Sequence, residues 1–217
     1  MPVAAAVFDF NGTLSDDEPV LCEIFMHLFA EYGRSMSAQE YFDQLAGMSD
    51  PEIVKTWLGQ DHPDVQTVID ERVSRYRLAT ADGSTIHEQV REAVRYAAER
   101  VPLAICSGAA REEIEPIVMS AGLAGCFRAV VSSDDVVHGK PDPEGYTKAL
   151  ELLAVEPVDA IVFEDTEAGV ASARAAGVGR VLAVRTTLEP HRLAAADELL
   201  DRIDVDVMRR CLGQPTV

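Results

Sequence analysis

The sequence predicts an α/β fold in which a parallel-sheet core is interrupted, after its first strand, by an all-helical segment. Three observations carry that expectation: short apolar runs recur and end in polar residues, helical patterns follow them, and the interval 15–82 shows helical periodicity alone.

Residues 4–10 form an apolar run, broken by Asp9 and ended by Asn11-Gly12, that suits a strand buried on both faces. In the helical interval, Pro19 opens a helix through Tyr32, Ser37 with Glu40 makes a capping box, Asp50-Pro51 starts a third helix, and 65–78 is amphipathic. The strand signal returns at 103–106 before Ser107-Gly108, at 129–131 before Ser132-Ser133, at 161–163 before Glu164-Asp165, and at 181–184, each with a helical pattern expected to follow. Helices are expected over 111–121, closing on Gly122, over 143–153, and over 167–176, closing on Gly177. An open parallel sheet presents its ligand site beyond the carboxyl ends of its strands, where Asp9, Ser107, Glu164 and Asp165 fall. The expected division is a core of 1–15 and 82–217 with a helical insert over 16–81, and 213–217 reads as a frayed tail.

The 217 residues are 47% hydrophobic, enough for one buried core plus an inserted lobe. Thirty-seven acidic against nineteen basic side chains leave a formal charge of −18, which opposes nucleic acid and anionic membranes as partners. An anionic substrate must therefore meet local positive charge. Cys22, Cys106, Cys126 and Cys211 are widely spaced, without a Cys-x-x-Cys pair, and read as reduced thiols. No run reaches membrane-spanning length and the first apolar stretch does not read as a signal peptide, so a cytoplasmic location is the expectation. Charge says little about assembly, and the oligomeric state stays open.

Taken singly, the polar residues at the strand ends have ordinary readings. Asp9 can cap a turn, Ser107-Gly108 can be a turn, Lys140 can be a solvated loop lysine, and Glu164-Asp165 can be an N-cap pair for the next helix. The five histidines lack metal-ligand spacing and read as surface or core residues, and Arg111 reads as an exposed helix charge.

Together, however, Asp9-Phe10-Asn11-Gly12-Thr13, Ser107, Lys140 in Gly139-Lys140-Pro141-Asp142-Pro143, and Glu164-Asp165-Thr166 followed by Gly169 resemble the four motifs of the haloacid dehalogenase superfamily, in its phosphatase-like branch with a helical cap. The resemblance spans almost the whole chain and implies a Rossmann-like parallel-sheet core with an inserted α-helical cap. It implies a phosphohydrolase of a small phosphorylated metabolite, with Asp9 as the nucleophile that forms an aspartyl-phosphate. It further implies Mg2+ held by Asp9, the Asn11 carbonyl and Asp165, with Glu164 as a further or water-mediated ligand. Lys140 would neutralise phosphoryl charge and Asp9, while Ser107, the Gly108 amide and Thr13 would donate hydrogen bonds to phosphate or the nucleophile.

The sequence departs from that pattern at Asn11, where family phosphatases and phosphomutases usually carry a second aspartate that protonates the leaving oxygen and then activates water. General acid and base assistance is worth about 10²- to 10⁴-fold, and an amide supplies neither. Three explanations stay open: a phosphatase acting on a good leaving group or using another acid, a weakened or inactive relative that binds phosphate, and a substitution introduced into the chain. A phosphonate hydrolase ranks lower because Met48-Ser49-Asp50 occupies the stretch where that branch has its lysine and Lys55 is displaced. A phosphomutase ranks lower because Asp50 stands where a basic residue is expected, and a dehalogenase because Glu164-Asp165-Thr166 resembles the magnesium-binding form. By the same resemblance the cap closes through linkers at 15–18 and 81–85, with Asp16 at the hinge and the loop 45–50, bent at Gly47, facing substrate. Lys55, Arg72, Arg75 and Arg77 are the cap's basic side chains, most of them expected on solvated faces.

Overall fold

A computed structural model describes residues 3–213, so most of the expected tail lies outside the described residues. Its centre is a six-stranded parallel sheet in the order β3-β2-β1-β4-β5-β6, with β1 at Ala5–Phe8, β2 at Leu103–Cys106, β3 at Phe127–Val131, β4 at Ala160–Glu164, β5 at Arg180–Val184 and β6 at Glu198–Leu200. β1 is central: Val7 pairs with Ala104 on one side and Val162 on the other. Alternate residues of β1 serve opposite faces, which is why its run is continuously apolar. Ala5 and Val7 pack with Ala104, Val162 and Tyr146, while Ala6 and Phe8 pack with Ile105, Ile161 and Phe163. The Phe8 and Phe163 rings stack at 4.8 Å between centroids.

Four helices separate β1 from the rest of the core: α1 at Glu18–Glu31, α2 at Ala38–Gln44, α3 at Asp50–Leu58 and α4 at Val65–Ala79. Pro19 stands in the first turn of α1, and the Ser37–Glu40 capping box starts α2 as expected. Beyond the insert come α5 at Glu88–Ala98, α6 at Arg111–Ser120, α7 at Glu144–Leu153, α8 at Glu167–Ala175 and α9 at Val205–Leu212. The stretches that enter and leave the insert are tied together: Ser15 Oγ donates to Thr85 Oγ1 at 2.8 Å, and the Asp16 amide donates to the Thr85 carbonyl at 2.9 Å. Arg72 of α4, itself buried, pairs with Asp50 at the start of α3 and with buried Glu113 of α6, linking insert to core through a charged triad.

Several sequence expectations shift. The first strand stops at Phe8 rather than running to residue 10, because the Asp9 amide still pairs with the Phe163 carbonyl but the chain then turns at Gly12 with φ +72°. The helix expected after 181–184 is absent among the described residues; a turn-rich segment leads instead to β6, which was not foreseen. Helices α5 and α9 also went unread, although both are amphipathic and pack on each other at the edge of the core. The N-cap of α8 is Thr166, whose hydroxyl accepts from the Gly169 amide at 3.1 Å, and not the pair Glu164-Asp165. No helix among the described residues is long and apolar enough to cross a membrane.

Candidate active site

The carboxyl ends of β1 and β4, with the loop before α7, bring three expected residues into direct contact. Asp9 leaves the end of β1 and Glu164 ends β4, so neighbouring strands fix both carboxylates from below. Lys140 reaches in from its loop, placing Nζ 2.5 Å from Asp9 Oδ1, 2.5 Å from Glu164 Oε1 and 3.1 Å from the Cys106 carbonyl. Burial would depress the Lys140 ammonium, but Asp9 and Glu164 outweigh it and hold the proton more tightly than on an ordinary lysine. Burial also dominates Asp9, pushing it up to about 7 with help from the like charge of Glu164 and against the pull of Lys140. For Glu164 burial acts upward, yet Lys140 and the hydrogen bonds of Tyr146 and the Asp165 amide keep it below the ordinary value.

Glu164 is wholly inaccessible to solvent and saturated with partners. Its Oε1 accepts from the Tyr146 hydroxyl at 2.8 Å, and its Oε2 accepts from the Asp165 and Thr166 amides at 2.9 and 3.2 Å. Asp165 accepts from Thr13 at 3.1 Å and from Thr187, so Thr13 addresses this carboxylate rather than Asp9. Burial, with Asp9 and Glu164 as like-charged neighbours, drives the Asp165 carboxyl well above its usual range. Ser107 is buried at the end of β2 with its hydroxyl accepting from the Ala109 amide at 3.1 Å, while space around Gly108 is open. Asn11 lies on the turn after Asp9, its side chain engaged with Asp17 and Tyr76.

Asp9, Glu164 and Asp165 each offer an oxygen within 4.8 Å of the others, and all three are buried. One lysine cannot balance three buried carboxylates, so the donor set has the chemistry of an oxygen-ligated divalent cation. A cavity of about 490 Å³ is lined by Gln44, Gly47 and Met48 of the insert and by Leu188, Arg192 and Thr166 of the core, the last of these next in the chain to Asp165. The loop expected to face substrate thus borders a real cleft. Sequence reading missed Tyr146, Thr187, Asp17 and Tyr76. Thr187 stands in the turn just beyond β5, within reach of the strand-end rule although not directly at the strand end as Ser107 is; Tyr146 and Tyr76 lie inside helices and carry no such signal.

The model of the haloacid dehalogenase-like hydrolases matches residues 6–184. The chain is 30% identical to validoxylamine A 7'-phosphate phosphatase of Streptomyces hygroscopicus subsp. limoneus, over 90% of this chain and 92% of that protein. It is 29% identical to fructose-1-phosphate phosphatase of Escherichia coli K12, over 82% of this chain and 95% of that one. The crystal structure of CbbY from Rhodobacter sphaeroides in complex with phosphate shares the fold at TM-score 0.79 and 24% identity, covering 94% of this chain and 95% of that chain. Since the match runs from β1 through β5 and takes in all four strand-end motifs, the chain belongs to the haloacid dehalogenase-like hydrolase family.

Proposed function

We propose that this hydrolase is a magnesium-dependent phosphohydrolase of a small phosphorylated metabolite, working through an aspartyl-phosphate on Asp9. The observation that carries the reading is the buried Asp9–Lys140–Glu164 contact beside Asp165: the carboxylate at the end of the central strand is clamped by a cation that it shares with its neighbour. An oxygen of Asp9 is held for in-line attack on phosphorus, and Lys140 holds that oxygen while offering its charge to the phosphoryl group. Ser107 and the Gly108 amide donate to the phosphoryl oxygens, the open space at Gly108 leaving room for them. Asp9, Asp165 and the Asn11 carbonyl would hold magnesium, with Glu164 as a further or water-mediated ligand. A bound ion neutralises the excess carboxylate charge and draws electron density from the phosphoryl oxygens. The insert over 16–81 serves as the cap, and its 45–50 loop with the cleft beside it receives the non-phosphate part of the substrate. The phosphatase names of the relatives agree with this class.

The test is phosphate release across a panel of phosphomonoesters with magnesium. Asp9→Asn should lower turnover by at least about 10³-fold, and chelation should abolish it. Full metal-dependent turnover by Asp9→Asn would end the covalent mechanism. Asn11 favours a second reading, a relative that binds phosphate without turning it over. Negligible hydrolysis by the native chain across the panel, with phosphate binding retained in calorimetry, would select it.

A further inference from the structure

Asn11 is held by two partners that both require a donor. Its Nδ2 donates to Asp17 Oδ2 at 3.0 Å and to the Tyr76 hydroxyl at 3.1 Å. Tyr76 gives its own proton to Asp17 Oδ2 at 2.5 Å, so towards Asn11 it can only accept. Asp17 Oδ1 accepts from the Gly12 amide at 3.2 Å, and the whole carboxylate is inaccessible to solvent. An amide turned by 180° would set its oxygen against the Asp17 carboxylate, which fixes the orientation on electrostatic grounds. A carboxylate at position 11 would meet Asp17 at the same distance with no donor to offer. Asn11 Oδ1 is then the side chain's one polar atom with no partner among the described residues, and it is an acceptor.

We propose that Asp17 and Tyr76 are positioning residues that select an amide at position 11, so that the site transfers the phosphoryl group without a proton from that position and favours phosphates with an acidic leaving group. The kinetic half rests on the phosphohydrolase reading; the selection of an amide stands on the contacts alone. In the first step an Asp9 oxygen bonds to phosphorus as the bond from phosphorus to the leaving oxygen breaks. The electron pair stays on that oxygen, which departs as an anion and takes its proton from solvent. Water, accepted by Asn11 Oδ1, then bonds to phosphorus as the Asp9–phosphorus bond breaks. That pair returns to the Asp9 carboxylate, and the water's proton passes to the released phosphate. Position 11 accepts and orients throughout and exchanges no proton.

The experiment is a double-mutant cycle on the full chain: native, Asn11→Asp, Asp17→Ser and the double variant. Each is read by Tm at neutral pH and by turnover of a series of aryl and alkyl phosphates of graded leaving-group acidity. Asn11→Asp alone should lower Tm by about 4 °C or more, and adding Asp17→Ser should restore at least half of the loss. The native chain should show a steep dependence on leaving-group acidity. The double variant should flatten it and raise alkyl phosphate turnover by about 10²- to 10⁴-fold, beyond either single change. Additive Tm changes, a shallow dependence in the native chain, or a gain from Asn11→Asp alone that equals the double variant would each overturn the proposal. If the native chain turns over nothing, the phosphohydrolase reading fails, while the Tm cycle still decides whether Asp17 selects the amide.

Discussion

Lys140 illustrates how much depends on a single side chain. Its ammonium is shared by Asp9 and Glu164 at 2.5 Å each, in a site where the remaining charges are carboxylates. Removing one partner of a buried charge cluster leaves the others without compensation, which costs more than the intact pairing ever contributes. Lys140→Met, close in length and neutral, should destabilise the chain by about 3–5 kcal/mol in urea unfolding at neutral pH. It should also lower phosphate release by at least about 10²-fold, the scale of losing one preorganised charge. Unchanged stability would mean that solvent, not Lys140, balances the carboxylates. Asp9, Glu164 and Asp165 were legible in the sequence because they end apolar runs, while Asn11 and Lys140 were picked out through the resemblance of their segments to the family motifs. Tyr146, Tyr76 and Asp17 were not, since their chemistry comes from burial against partners 18, 65 and 6 residues away.

At the level of elements, the approach of α8 to β4 is set by a missing side chain. Gly169, in the first turn of α8, leaves room for the Glu164 carboxylate, and a Cβ there would fall on that carboxylate itself. Gly169→Ala must therefore push back either the helix or the side chain, a change of the overpacking kind worth about 1–3 kcal/mol. We expect a matching fall in Tm together with weakened magnesium binding in calorimetry, because Glu164 anchors the Asp165 and Thr166 amides as well as Lys140. Gly125→Ala meets open space and should change stability by no more than about 0.5 kcal/mol, which separates the contact from a general effect of alanine. The capping box of α2 and the proline of α1 were readable from local chemistry. Thr166 as the true N-cap of α8 was obscured because two acidic residues precede it, and their carboxylates are drawn into the site.

For the molecule as a whole, buried acidity governs the response to pH. Burial lifts Asp9 and Glu18 to about 7 and Asp17 to about 6, and drives Asp165 well above its usual range. Groups raised on folding bind protons more tightly in the native state, so between their ordinary and raised values the native chain carries more protons than the unfolded chain. Acids held below their ordinary values, Glu164 and Asp135 among them, act in the opposite sense up to about pH 5, and above that stability must fall as pH rises to about 7. With a chelator present, Tm should decline from about pH 5 to about pH 7. Magnesium, which competes with protons for the same oxygens, should stabilise more strongly as pH rises and should release protons on binding. A Tm that climbs across this window in chelator would contradict the assignment of the buried acids.

The order of strands and helices, the place of the helical insert and the strand-end carboxylates follow from the chain's local pattern, because hydrophobic period, caps and turns act over a few residues. The short edge strand β6 and the helices α5 and α9 did not follow, since packing at the margins of the core decides them. The meaning of Asn11 belongs to the same class. As a letter it is a lost acid; in three dimensions it is an amide whose two protons are claimed by Asp17 and Tyr76. Hydrogen-bond demand is a property of the surroundings, and those surroundings exist once the insert has folded back onto the end of β1.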